Sequence, residues 1–136
     1  MYGSYTGSDR RKLKRLAATF IVIYKADSPL HVRMMIGNRD IHAIMLNLSE
    51  GGMAFITNYN IPQGTRLSIQ VILINEKAVK DEERVRPMQI NGEIRYNIRG
   101  EKKEHRLGIC FTQISDEYRR AIANFVEPGH RAFLDV

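Results

Sequence analysis

The stretch Asn47-Leu48-Ser49-Glu50-Gly51-Gly52 separates two runs with alternating apolar residues, Ile41 to Leu46 before it and Met53 to Thr57 after it. Such runs are typical of strands, and a polar segment that ends in glycines is typical of a turn. Asn47 and Ser49 carry short side chains that hydrogen-bond readily at a strand end. Two glycines allow backbone N–H groups to approach a bound molecule closely. The stretch therefore predicts a strand–turn–strand unit with polar groups at its tip.

A basic cluster, Arg10-Arg11-Lys12-Leu13-Lys14-Arg15, lies upstream of this turn. Two observations argue against the cluster being the first turn of an amphipathic helix. Positive charge at a helix N-terminus opposes the helix dipole, and the residues that follow the cluster, Thr19 to Tyr24, are strongly β in character. We therefore expect an arm that leads into a first strand over about Ala18 to Lys25, with a merely solvated charge run as the alternative. Arginine presents forked donors that suit phosphate and the O6/N7 edge of guanine. The cluster and the turn together indicate a composite site for a small, anionic, guanine-containing molecule.

Composition limits the classes of protein to consider. The chain has 136 residues, 43% of them hydrophobic, which suits one folded domain with a real core. It carries 21 basic and 15 acidic residues, a net charge of +6, which favours an anionic partner without choosing among nucleotide, nucleic acid and membrane surface. A single cysteine, Cys110, excludes an internal disulfide and fits a reducing compartment. No apolar run approaches the ~20 residues that span a bilayer, and the start of the chain lacks a signal-peptide core. We expect a cytoplasmic protein.

The rest of the chain predicts more short strands and one helix. Leu30 to Ile36 is apolar enough for a short strand, and the mixed-charge stretch Asn75 to Pro87 is expected to be a solvated hairpin loop. Ser115 is a good N-cap before an acidic first turn, so a helix should begin there and stop at Pro128-Gly129. Further strands are expected over Arg66 to Ile74, Met88 to Tyr96 and Leu107 to Phe111.

Many short strands joined by turns favour a barrel, because closure removes exposed strand edges. The predicted fold class is mainly β: a small six-stranded antiparallel β-barrel of the split type, with a C-terminal α-helix and a flexible basic N-terminal arm. The predicted organisation is a flexible tail over residues 1–9, one barrel domain with its helix over 10–127, and a C-terminal tail over 128–136.

With these elements placed, the chain resembles the PilZ domain, the bacterial receptor module for cyclic di-GMP. The family pattern is an Arg-xxx-Arg arm before the first strand and an (Asp/Asn)-x-Ser-x-x-Gly turn after the second. Here Arg11 to Arg15 and Asn47 to Gly52 match these two motifs. Their order and strand context make the pair more specific than either motif alone. Three later segments are also similar to family segments: Ile61 to Thr65, Gly92 to Ile94 and Arg106 to Ile109.

The resemblance implies a role for the arm. Arg11 and Arg15 would grip the phosphates and guanine edges of cyclic di-GMP, and Arg10 would add a contact. Ligand binding would order the arm, and the ordered arm would be the signal that a downstream protein effector reads.

The resemblance also implies roles for the turn. Asn47 and Ser49 would hydrogen-bond a guanine or a phosphate, and Gly52, with Gly51, would keep the surface clear for the ligand. Asn47 stands where the family more often has Asp. A neutral amide lacks the charge assistance of a carboxylate when it accepts from a guanine N–H.

Other chemistry finds little support in the residues. Ser49 is not an elbow nucleophile, since Asn47 stands where that motif needs glycine. The four histidines are scattered and one cysteine cannot complete a usual zinc site, so we expect no metal, no cofactor and no enzyme activity. Tyr96 shares the parity of core residues, which predicts packing, with stacking on a guanine as the alternative.

Three classes of function therefore remain open. The favoured class is a receptor for cyclic di-GMP, expected to be a monomer without a stable nucleic-acid or membrane partner. The alternatives are a nucleic-acid-binding β-barrel and a ligand-independent protein-interaction module. Nucleic-acid-binding barrels generally stack bases on surface aromatics. This chain has no Trp and only 8% aromatic residues, which disfavours that alternative.

Overall fold

The computed structural model describes residues 18–75 and 84–125. Within these ranges six strands and two helices follow one another, which confirms the predicted fold class of a mainly β, six-stranded antiparallel barrel with a C-terminal helix. The strands are β1 Ala18–Ser28, β2 Ile41–Leu48, β3 Gly52–Thr57, β4 Arg66–Asn75, β5 Val85–Arg99 and β6 His105–Gln113. The helices are α1 Leu30–Ile36 and α2 Asp116–Phe125. The predicted basic arm and the two predicted tails lie outside the described residues.

The strands form one closed sheet in the order β1-β2-β3-β6-β5-β4. The closing pair is β1 with β4, and its register runs from Ala18 opposite Asn75 to Ser28 opposite Arg66. Neighbouring strands are antiparallel throughout the described sheet. Closure pairs the backbone N–H and C=O groups that an open sheet would leave free along its two edges.

The strand directions decide which segments meet at each end of the barrel. β1 and β2 are antiparallel, with Val22 opposite Ala43 and Tyr24 opposite Ile41. The first residue of β1 therefore lies at the end of the barrel where β2 stops and the β2–β3 turn begins. The start of α2 lies at this end too, because β6 runs antiparallel to β3. Helix α1 follows β1 at the opposite end.

The barrel interior is built around Tyr24, which is fully buried. Its ring stacks on Phe55 with 4.8 Å between the ring centroids. Its hydroxyl lies 2.6 Å from the hydroxyl oxygen of Thr57, so the one polar atom of the phenol has a partner inside the core. Burial raises the pKa of Tyr24 to about 12, and the Thr57 hydrogen bond acts in the opposite direction.

The segment Leu30–Ile36 is helix α1, so the prediction of a short strand was wrong. Val32 and Ile36 are buried, and their four-residue spacing puts them on one helix face. Gly37 ends the helix with φ +96°, and its N–H donates to the carbonyl of Arg33 at 3.0 Å. The apolar residues of this segment are compatible with the spacing of a strand and with that of a helix. The helix is the observed state because it packs against β1.

Strand β5 extends past both of its predicted ends. Val85 and Pro87, expected in a loop, pair with Ile74 and Ile72 of β4. Both side chains are exposed, so no apolar period marked this part of the strand in the sequence. The remainder of the expected loop, residues 76–83, lies outside the described residues. At its other end β5 continues to Arg99.

Helix α2 begins as predicted after Ser115. The N–H of Tyr118 donates to the Ser115 hydroxyl oxygen at 3.1 Å, which satisfies one of the free donors of the first turn. Ala121 and Ile122 are buried against the barrel core. Glu117 in the acidic first turn pairs with Arg86 of β5 at 2.5 Å. The predicted stop at Pro128-Gly129 lies outside the described residues.

Candidate functional site

The β2–β3 turn is a tight hairpin in which Ser49 and Gly52 flank two residues. The backbone N–H of Ser49 donates to the carbonyl of Gly52 at 2.9 Å, and the Ser49 hydroxyl donates to the same oxygen at 3.3 Å. The carbonyl of Gly51 accepts from the N–H of Phe111 at 2.9 Å, which ties the tip of the turn to β6. These hydrogen bonds hold the turn in place against β6. They do not use the lone pairs of the Ser49 hydroxyl oxygen, which can still accept a hydrogen bond.

The two glycines of the turn have different surroundings. A β-carbon on Gly52 would lie 2.2 Å from the carbonyl oxygen of Ile109, so β3 approaches β6 more closely than any side chain would allow. A β-carbon on Gly51 would meet no atom of residues 18–75 or 84–125 within 4 Å, and the φ angle of neither glycine is positive. Gly52 thus has a packing role that the sequence did not indicate. At Gly51 neither crowding by the described residues nor backbone conformation requires glycine, so no described residue covers the surface above it.

Asn47 lies in β2 on the outer surface of the barrel. The register of β2 shifts between Met45 and Asn47, which places Asn47 opposite Ala54 of β3. Its side chain is half-buried and makes no hydrogen bond to any part of the described chain. Its amide oxygen and amide N–H groups are therefore available to a ligand.

Tyr96 also faces outward, so the prediction that it packs in the core was wrong. The register of β5 against β6 shifts between Ile94 and Tyr96, and this extra residue reverses the direction of every side chain after it. Tyr96 is 37% exposed. A β-carbon on Gly108 would lie 1.9 Å from Cε2 of Tyr96, so the ring lies directly over that glycine.

The pairings place Asn47, Ala54, Gly108 and Tyr96 in one line across β2, β3, β6 and β5. This line, which we call the site row, lies beside the β2–β3 turn on the outer surface. It carries an amide at one side and an aromatic ring at the other, and the two small residues between them, Ala54 and Gly108, are buried. The amide and the ring are therefore the groups of the row that could hydrogen-bond and stack with a flat, polar ring.

The predicted basic residues Arg10, Arg11 and Arg15 lie outside the described residues. The strand into which they lead begins at Ala18, at the end of the barrel that carries the turn. The structure therefore brings together Asn47, Ser49, Gly51 and Gly52, and places the start of β1 at their end of the molecule.

No group of three or more His, Cys, Asp or Glu side chains in residues 18–75 and 84–125 could hold a metal ion. His105 is instead a partner in a polar network at the far end of the barrel, where its Nδ1 lies 2.9 Å from Oδ1 of Asn97. The Asn97 side-chain N–H donates to the carbonyl of Ile61 at 2.9 Å. Neither helix of the described ranges is long and apolar enough to cross a membrane.

The family model for the PilZ domain matches residues 9–127. The chain belongs to the PilZ domain family, whose members are receptor and adaptor modules. Among solved structures, the chain is similar to the Inhibitor of motility (MotI/DgrA) of Bacillus subtilis, with a TM-score of 0.58 and 15% sequence identity. The match covers 80% of this chain and 47% of that one, so this chain spans about half the length of that protein. No curated protein matches the chain.

Proposed function

We propose that this protein is a receptor for cyclic di-GMP, bound between the basic arm and the β2–β3 turn. The observation that supports this most is the position of Ala18, which begins β1 at the end of the barrel that carries Asn47 and Ser49. A chain spans at most ~3.5 Å per residue. Arg15 is three residues before Ala18, so its Cα lies within ~11 Å of the start of β1. Arg11 lies within ~25 Å on the same basis.

Each site residue has a task that its chemistry suits. Arg11 and Arg15, with Arg10, grip phosphates and guanine edges through forked, charge-assisted hydrogen bonds. Asn47 uses its free amide on a guanine edge or a phosphate, and Ser49 accepts with the oxygen that already donates to Gly52. The ring of Tyr96 stacks on a guanine at the other side of the site row. The absence of a side chain at Gly51 and Gly52 keeps the ligand close to the backbone of the turn.

The signal is the arm itself. Ordering a free backbone costs ~1–2 kcal/mol per residue fixed. Several charge-assisted contacts must offset this cost, so the arm is held only while the ligand is bound. A downstream protein effector then reads the changed surface beside the turn. Loss of one arginine should therefore weaken binding severely.

The test is a calorimetric titration of the full chain with cyclic di-GMP, repeated on Arg11→Ala and Arg15→Ala. We expect wild-type binding and a loss of at least about tenfold in affinity for each variant, since each removes a charge-assisted pair. Arg33→Ala is the matched control, because Arg33 is an exposed arginine on α1 at the opposite end of the barrel. Wild-type affinity in both arm variants would contradict the assigned roles. Equal arm mobility by NMR in free and bound protein would contradict the switching step alone.

The same titration separates the alternative functions. Absence of heat with cyclic di-GMP, together with binding to DNA or RNA that falls steeply as salt rises, would indicate a nucleic-acid-binding barrel. Absence of heat with both would leave a ligand-independent interaction module.

A further inference from the structure

Four outward-facing side chains form a second line across the barrel, next to the site row, and we call it the outer row. Ile44 of β2 lies opposite Ile56 of β3, Ile56 lies opposite Arg106 of β6, and Arg106 lies opposite Ile98 of β5. Ile44 is 67% exposed and Ile98 is 56% exposed. Scattered exposed apolar residues are ordinary, whereas a contiguous apolar line is typical of an interaction surface.

Arg106, in the middle of the outer row, lacks a partner for part of its guanidinium group. Its Nε is buried without a hydrogen-bond acceptor, and Arg106 makes no ion pair to any part of the described chain. Glu104 precedes it by two residues, but a carboxylate oxygen of Glu104 accepts from the N–H of Lys102 at 2.9 Å and the carboxylate lies over Gly100. Nε itself is covered by the protein, so an incoming group would meet the terminal nitrogens of the guanidinium, for which a carboxylate is the best partner. The charge of the row therefore favours an acidic group on whatever covers it.

The shape of the row indicates the kind of element that covers it. In the middle of the row a partner strand cannot pair through its backbone, because Ile56 and Arg106 lie in strands that are paired with a neighbour on both sides. Contact must be made through side chains. Four neighbouring strands place the ends of the row ~14 Å apart. Residues i and i+8 of an α-helix are ~12 Å apart along its axis.

We propose that the outer row docks an amphipathic helix of a partner protein, which packs apolar side chains on Ile44, Ile56 and Ile98 and pairs an Asp or Glu with Arg106. A second copy of this chain fits the row poorly. A two-fold contact places the same patch on both subunits, so two unpaired Arg106 side chains would approach each other between molecules of net charge +6. Ile56 of the outer row and Ala54 of the site row are two residues apart on the same face of β3. The docked helix therefore borders the candidate ligand site. Docking itself does not require the dinucleotide.

The experiment uses a displayed library of helical peptides of about 18 residues, randomised along one face and selected on the full-length chain. Selected peptides are then measured by fluorescence polarisation against the wild type and variants. We expect them to combine Leu, Ile or Phe with at least one Asp or Glu. Ile44→Ser, Ile98→Ser and Arg106→Gln should each weaken binding by about tenfold, and Arg106→Lys should weaken it less. Met34→Ser and Met35→Ser are the matched controls, since these exposed apolar residues lie on α1, and they should leave affinity unchanged.

Urea unfolding of each variant separates lost docking from lost folding, and the high exposure of Ile44 and Ile98 predicts wild-type midpoints for those two. The proposal is overturned if the library yields no binder, or if selected peptides bind Ile44→Ser and Ile98→Ser as well as the wild type. It is also overturned if the Met34 and Met35 variants lose binding instead. Sedimentation supplies a further test, because a wild-type dimer that Ile44→Ser dissociates would assign the row to a second copy of the chain.

Discussion

Gly52 and Ile109 lie in direct backbone contact across β3 and β6: a β-carbon on Gly52 would be only 2.2 Å from the carbonyl oxygen of Ile109. At the neighbouring glycine, Gly51, a β-carbon would have no atom of the described part of the chain within 4 Å. Two adjacent residues of one motif therefore have separable roles. Gly52 allows the sheet to pack, and Gly51 leaves the surface open.

Gly52→Ala should destabilise the fold, because the clash is with backbone that cannot rotate away. We expect a loss of ~1–3 kcal/mol in the free energy of unfolding, as for other overpacked sites. Gly51→Ala is the matched control and should change the free energy of unfolding by less than about 0.5 kcal/mol. Urea unfolding monitored by circular dichroism measures both. Equal stability of the two variants would contradict the packing role of Gly52.

Gly51→Ala should instead weaken binding of cyclic di-GMP, because its methyl group would enter the space that we assign to the ligand. We expect a loss of roughly tenfold in affinity by calorimetry, with the fold unchanged. Unchanged affinity would show that Gly51 does not lie against the ligand. It would not bear on the arginines, whose roles are tested by Arg11→Ala and Arg15→Ala.

Tyr24 should make stability fall in alkaline solution. Its pKa is raised to about 12 in the fold, against 10.0 when it is exposed, so the unfolded chain releases the proton first. The contribution is fully present below pH 10 and decreases as the pH rises toward 12, by up to about 1.4 kcal/mol per pH unit. Tyr24→Phe removes the ionisable group and should flatten this part of the profile. Parallel stability profiles of the wild type and Tyr24→Phe from pH 9 to about 12 would show that Tyr24 does not carry the effect.

Ser115→Ala should destabilise α2, because the Tyr118 N–H loses its acceptor at 3.1 Å. The expected cost is ~1 kcal/mol in the free energy of unfolding. Ser115→Asp supplies another capping acceptor and should keep stability near that of the wild type. Thermal unfolding of the three proteins makes the comparison, and an equal loss in the Ala and Asp variants would mean that the cap contributes little.

Asn47→Asp should bind cyclic di-GMP as tightly as the wild type or more tightly. A carboxylate accepts from a guanine N–H with charge assistance, and Asn47 has no partner in the described chain that the change would disturb. Asn47→Ala provides the reference for loss of the group. A large loss of affinity in Asn47→Asp would show that the amide donates to the ligand, through its N–H, rather than accepting from it.

Tyr96→Ala should weaken cyclic di-GMP binding by ~1–3 kcal/mol, the usual range for a base stacked on an aromatic ring. Tyr96→Phe keeps the ring over Gly108 and should retain most of the affinity. Titration of the two variants separates stacking from hydrogen bonding by the hydroxyl. If the Ala variant binds as well as the wild type, the ring does not contact the ligand.

Much of the fold could be predicted because it depends on local patterns. Alternating residues such as Leu67, Ile69 and Val71 must place one face of a strand in the core, whatever the neighbouring strands are. The Ser115 cap and the acidic first turn likewise identify α2 from adjacent residues. The polar, glycine-ended turn of the candidate site was visible for the same reason.

The remaining features depend on contacts between residues far apart in the sequence. The direction of Tyr96 follows from a register shift against β6, and one extra residue in a ladder exchanges the inside and outside of a strand. The helical state of Leu30–Ile36 depends on packing Val32 and Ile36 against the barrel. The amino-acid sequence by itself thus determined the approximate positions of β1 to β6, the cap of α2 and the residues of the turn. Only the tertiary structure decided which side chains share an outer surface, because that depends on how separate strands pair, and strand pairing is not encoded in the spacing within any one of them.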